Sequence, residues 1–303
     1  MKLFLNHIFK FIFLFSIISL IAYKITTRVK YDNVFSSMEE SIKKESNINV
    51  VLFGSSIEQH YDKNSDSHFS ISEILDTISK KKIRGISHPG FYLPVFASFV
   101  DYIKNNNKNR KLEYLIIPLN LRSFSKPWYL SSYNQFRDVD YYLSIKKMML
   151  KEYASSEKNL NIKLACNPNE NLDGFLKTFS LGKNDNDFEK CVYYEFNIKT
   201  ENYTLKFLNS ILKEEYLDFE ILFYFEPLDY QSLTKKQLNY LDQNINLLKN
   251  ILAKKQIKFI DLSKLLSTDQ FDYYNSFNEH TKQIGKFHTA NEINKLIKIN
   301  DKY

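Results

Sequence analysis

An α/β fold is what this 303-residue sequence predicts: about five parallel strands, doubly wound with helices into a three-layer sandwich and preceded by one transmembrane helix. Three observations predict it. Five short apolar runs alternate with stretches of helical hydrophobic spacing, the rhythm of a parallel sheet built from strand–helix–strand units. The first run, Val50-Val51-Leu52-Phe53, breaks at Gly54 and leaves Ser55 and Ser56 at its carboxyl end, where open α/β sheets bind their ligands. Ahead of it, Leu3 to Tyr23, almost purely apolar from Phe11 onward, has the length of about 20 residues that a bilayer-crossing helix needs.

Taken in order, residues 1–25 form the membrane segment. The positions around Leu20 and Ala22 make a poor small-x-small cleavage site, so the segment reads as a retained signal anchor rather than a cleaved signal peptide. The short tail before it places the bulk of the chain outside the cytoplasm. Residues 26–48 are charged and polar and read as a tether, partly helical. The globular part spans 49–303. Its second element carries Ile71, Ile74, Leu75 and Ile78 at helical spacing. Ile83 to Ile86 is the second strand, Leu93 to Ile103 a helix, and Tyr114 to Asn120 the third strand. From about 125 to 215 the rhythm is interrupted by a segment rich in Tyr, Asn and Lys, which reads as an insertion. Glu220 to Phe225 is the fourth strand. A helix from about Thr234 to Gln256 follows, with Thr234 and Gln237 as a capping box and Leu238, Leu241, Ile245, Leu248 and Leu252 on one face. Lys258 to Leu262 is the fifth strand, and a helix from about Ile284 to Ile299 closes the chain.

Composition narrows the function classes. Hydrophobic residues make up 44% and charged residues 25%, an ordinary globular balance that supports a proper core. The net charge is +7, yet the lysines are scattered among acids and form no basic stripe, which argues against nucleic acid as a partner. His60, His88 and His288 lack metal-ligand spacing, so neither a metal nor a cofactor is expected. Cys166 and Cys191 are the two cysteines. A bridge between them would close a loop of about 25 residues worth roughly 3 kcal/mol, and two independent thiols is the other reading.

Three features sit at the strand ends. Gly54-Ser55-Ser56 pairs a turn-permitting glycine with exposed hydroxyls beside main-chain N–H groups. Asn120 ends the third strand, followed by Arg122 and Ser123, which either line the cleft or belong to a solvated loop. His280 lies before the last helix in Glu279-His280-Thr281-Lys282-Gln283-Ile284-Gly285. Glu226 and Asp229, after the fourth strand, read as caps for the next helix rather than substrate ligands.

Together with the glycine of His88-Pro89-Gly90, this order resembles the SGNH hydrolase family, also called GDSL-like, over roughly Asn49 to Asn300 apart from the insertion. The Gly-Ser-Ser form is similar to a membrane-anchored branch that includes the D-alanyl-lipoteichoic-acid protein and alginate O-acetylation proteins. The resemblance implies a flavodoxin-like three-layer fold with Ser56 as nucleophile and His280 as general base. It implies an oxyanion site from the Ser56 N–H, the Gly90 N–H and the Asn120 side chain. The family's acid three residues before the histidine is replaced by Phe277, which leaves Glu279, Asn278 or Asp272 to orient the imidazole, or a Ser-His dyad. The activity implied is that of an extracytoplasmic serine esterase or O-acyltransferase acting on acylated, in particular acetylated, cell-envelope glycans. A membrane-bound acyltransferase is the implied protein partner. The rival, favoured by Phe277, is a non-catalytic binding or assembly component with the same fold.

Overall fold

The computed structural model describes residues 2–59, 69–120, 123, 135–143, 202–212, 217–233, 235–271 and 280–300. Five strands, β1 (Val50–Gly54), β2 (Ile83–Ser87), β3 (Tyr114–Leu119), β4 (Glu220–Phe225) and β5 (Lys258–Asp261), form one sheet in the order β2-β1-β3-β4-β5. Every pairing is parallel. The chain leaves β1 toward β2 on one side and returns to β3 on the other, so the topological switch point lies between β1 and β3.

Strand parity sorts the side chains into two cores. Val51, Phe53, Leu115, Ile117, Leu119, Phe223 and Phe225 face one layer of helices, and Val50, Leu52, Tyr114, Ile116, Leu222 and Tyr224 face the other. The helices are α1 (Lys2–Lys30), α2 (Asp32–Ser41), α3 (Ser56–Gln59), α4 (Ile71–Ile78), α5 (Leu93–Asn106), α6 (Phe136–Leu143), α7 (Asn202–Leu212), α8 (Lys235–Lys254) and α9 (Gln283–Asn300). Helices α2, α5, α6, α7 and α8 cover the first face, and α4 and α9 cover the second. In α8, Leu241, Ile245, Leu248 and Leu252 are buried, the stripe the sequence predicts. Helix α4 starts with a capping box in which Ser70 accepts from the Glu73 amide and Glu73 accepts from the Ser70 amide.

One expectation changes. The predicted polar tether over 26–48 is instead the end of α1 and the whole of α2, which buries Val34, Phe35 and Met38, flanked by buried Tyr31 and Ile42. Tyr31, Val34, Phe35, Met38 and Ile42 recur at helical spacing among charged residues, which makes the helix amphipathic. Within the predicted insertion, α6 and α7 pack on α5 and on each other, with the Phe136 and Phe207 rings 5.0 Å apart. Cys166, Cys191 and the Thr234 cap lie outside the described residues. His7–Thr27 within α1, 21 residues, is long and apolar enough to cross a membrane and is not buried in the protein.

Candidate active site

The site begins at the β1–α3 joint. Gly54 ends β1, and a Cβ there would lie 2.5 Å from Glu58 Cβ, so only glycine lets the chain turn back this tightly into α3. The Ser55 hydroxyl accepts the Ile57 amide at 3.3 Å, and Ser56, half-buried, opens α3. Its Oγ lies 3.0 Å from His280 Nε2, across 224 residues of sequence. His280 is held there by the segment after it. Thr281 bridges Phe271, the Lys282 amide donates to the Gln270 carbonyl at 2.8 Å, and Lys282 Nζ donates to the Asp269 carbonyl at 2.7 Å.

The loop after β2 is tied to the same tip. The His88 amide donates to the Gly54 carbonyl at 3.3 Å, and the Phe91 amide to the His88 carbonyl at 3.1 Å. Gly90 closes this turn with φ 87°, a left-handed conformation that glycine adopts without strain. Gln135 Nε2 donates to the Pro89 carbonyl at 2.6 Å, and the His88 ring rests 5.0 Å from Tyr31 and 5.1 Å from Phe91. Burial holds the His88 imidazole below its usual range.

Asn120 follows β3 and is buried. Pro118 pairs with Tyr224 in the sheet, so Asn120 and Glu226, two residues further along each strand, fall on the same face. Asn120 Nδ2 donates to Glu226 Oε2 at 2.7 Å, while its Oδ1 accepts from the Ser123 amide at 2.9 Å and hydroxyl at 3.0 Å. The Ser123 hydroxyl in turn accepts the Leu93 amide at the start of α5, at 3.2 Å. The amide is thus oriented from both ends, with one of its two N–H groups committed to Glu226.

A second buried carboxylate, Glu58, lies on the helix that Ser56 opens. Glu58 Oε1 accepts the Ser72 amide at 3.1 Å and hydroxyl at 2.5 Å, and Oε2 accepts the Ser87 hydroxyl. These bonds fasten α3 to the first turn of α4, whose dipole favours a carboxylate, and to the end of β2. Between Glu58 and Glu226 lies Tyr224, fully buried; burial first, and then the charges of Glu226 and Glu58, push its phenol well above the ordinary range. It stays neutral at any physiological pH.

Ser56 and His280 are therefore brought together at one tip, with the Gly90 loop fastened to the carbonyl before Ser55. Asn120 is bonded to Glu226, which the sequence suggests as a helix cap. Asp229 likewise accepts the Thr268 hydroxyl, at 2.7 Å. Arg122, Glu279, Asn278, Phe277 and Asp272 lie outside the described residues. Sequence reasoning missed Glu58, which carries no local signal. It missed the Asn120–Glu226 bond as well, although strand parity places both residues on one face.

No family model matches the sequence, and no curated protein matches it. Solved structures do. A Streptococcus pneumonia protein named for platelet activating factor aligns with TM-score 0.47 and 11% identity, over 93% of this chain and 98% of its own. A catalytic mutant of an acetylxylan esterase from Geobacillus stearothermophilus aligns with TM-score 0.43 and 12% identity, over 82% and 94%. The lipase/acylhydrolase from Enterococcus faecalis aligns with TM-score 0.40 and 14% identity, over 84% and 96%.

Proposed function

We propose that the protein is a membrane-anchored, extracytoplasmic serine esterase or O-acyltransferase that acts on acylated, in particular acetylated, cell-envelope glycans. The observation that carries the chemical part is the 3.0 Å approach of Ser56 Oγ to His280 Nε2, hydrogen-bond reach between a nucleophile and its base. His280 takes the Ser56 proton as Oγ attacks the ester carbonyl. The tetrahedral intermediate collapses, the sugar oxygen leaves with that proton, and an acyl-Ser56 ester remains. Water or a second sugar hydroxyl, deprotonated by His280, then takes the acyl group and regenerates Ser56. The Ser56 and Gly90 amides and the second Asn120 N–H are the donors for the oxyanion, one such donor being worth about 3 kcal/mol. The apolar span His7–Thr27 supports the anchor. The glycan substrate and a membrane-bound acyltransferase as partner rest on the sequence resemblance.

A second reading, a non-catalytic assembly component, is favoured by Phe277 at the position where an acid would orient His280. One experiment separates them. A fluorophosphonate probe should label the full chain in detergent and fail to label Ser56→Ala. Equal labelling of both proteins, or of neither, sinks the enzyme reading. For the compartment, a reporter fused at Tyr303 that is active only in the cytoplasm overturns the extracytoplasmic placement.

A further inference from the structure

Among the described residues outside α1, the exposed large hydrophobic side chains are Phe69 at 55%, Ile284 at 50% and Phe287 at 44%. They are grouped. Phe69 directly precedes the Ser70 cap of α4, Ile284 and Phe287 lie one turn apart at the start of α9, and Lys286 Nζ donates to the Phe69 carbonyl at 3.3 Å. The group is at the catalytic end of the sheet. The first turn of α4 holds Glu58, two residues after Ser56, and α9 starts three residues after His280.

The membrane helix joins the domain at that same end. The apolar span ends at Thr27, and Tyr31 four residues later packs its ring 5.0 Å from His88, in the loop that carries Gly90. Four residues of helix rise only about 6 Å. The joint is fixed, because Tyr23 and Lys30, two turns apart, both reach Asp138 of α6, at 2.6 and 3.4 Å. From Tyr31, α2 runs away from this end, and the carbonyls of Ser41 and Ile42 at its far end bond Asn109 and Lys108, ahead of β3. The span therefore holds the catalytic end, rather than the opposite one, within a short distance of the lipid headgroups.

We propose that this end of the domain lies against the lipid bilayer, with Phe69, Ile284 and Phe287 as its apolar contact with the membrane surface. The inference rests on the reading that α1 crosses the membrane. Clustered apolar side chains beside a membrane anchor lower their free energy by entering the headgroup–acyl boundary, where aromatic rings are favoured. The anchor and the cluster, on opposite helical layers, give two points of contact. Ser56 then opens toward the membrane plane, where an acyl donor or acceptor is itself held at the lipid surface.

The test uses the full chain in vesicles of phosphatidylcholine and phosphatidylglycerol with brominated acyl chains, which quench tryptophan on contact. In a Trp128→Phe background, which removes the one native tryptophan, single reporters are placed by Phe287→Trp, by Leu14→Trp in the span, and by Lys108→Trp at the opposite end. Strong quenching and a blue shift are expected for the first two, and an unquenched spectrum for the third. Quenching at Leu14→Trp without quenching at Phe287→Trp overturns the inference and leaves the anchor standing. A blue shift at Phe287→Trp without quenching means that protein covers the patch, which overturns it equally. No quenching at Leu14→Trp overturns both readings. Should Trp128→Phe not fold, the difference in quenching between the parent chain and its Phe287→Trp variant gives the same decision.

Discussion

Glu58 and Glu226 set two carboxylates behind Ser56, and they do different work. Glu58 satisfies three donors, the Ser72 amide and hydroxyl and the Ser87 hydroxyl. Glu58→Ala leaves those donors buried and unmade, at about 1–3 kcal/mol each. The thermal midpoint should fall sharply, and a midpoint unchanged from the parent would show that the bonds are not made. Glu226 instead accepts from Asn120 Nδ2; under the proposed mechanism it orients an oxyanion donor and places a carboxylate's charge beside the developing oxyanion. Glu226→Gln keeps an acceptor for Asn120 Nδ2 and removes that charge. Fluorophosphonate labelling of Ser56 should quicken, whereas slower labelling at unchanged stability would mean that the charge helps the reaction. Both carboxylates were hard to find in the sequence, because a buried acid is recognised by its donors. Those donors come from α4, β2 and β3, not from its neighbours in the chain.

At the scale of elements, the joints matter more than the elements themselves. The β1–α3 turn leaves no room at Gly54, and Gly54→Ala forces Glu58 and α3 outward at about 1–3 kcal/mol. The displacement carries Ser56 away from His280. Labelling should therefore drop more than the loss of folded protein accounts for, as measured by comparing the labelling rate with the unfolding curve. At the other side of the sheet, Asp261 ends β5. Burial raises its pKa, but the Ser263 hydroxyl and amide and Lys249 of α8 outweigh burial and hold it below the usual carboxylate range. The unfolded carboxyl titrates near pH ~3.9, so the stabilising contribution is present above that pH and is lost as pH falls through the lower folded value. The stability gap between the parent and Asp261→Asn should narrow as pH falls below about 4, as followed by urea unfolding. A gap that stays constant would rule out this linkage. The strands and their helices were legible from period and parity, because each repeats its pattern locally. The joints were not, since close approach between segments leaves no periodic trace.

For the whole molecule, the decisive element is α2. Tyr31, Val34, Phe35, Met38 and Ile42 are buried in the larger core, and five such side chains contribute on the order of 10 kcal/mol. That matches the entire net stability of a typical domain, about 5–15 kcal/mol. A chain beginning at Ser46 should accordingly lose cooperative unfolding, whereas one beginning at Lys30 should keep it; circular dichroism on heating distinguishes them. The same segment links the apolar span to the Gly90 loop through Tyr31 and His88. The apolar span, the core and the loop are therefore joined through one segment.

By itself, the sequence determined the five strands, the apolar stripe of α8, the apolar N-terminal span, the placing of Ser56, Gly90 and Asn120 after strand ends, and that of His280 ahead of the last helix. Hydrophobic period and turn chemistry are local quantities, so one chain displays them without a partner. Only the tertiary structure decided that Ser56 and His280 meet at 3.0 Å across 224 residues. It also decided that Glu226 orients Asn120, that Glu58 locks the helix that Ser56 opens, and that a supposed tether is core. Those outcomes depend on which distant donors and apolar faces arrive at one place, and the folded chain alone specifies that.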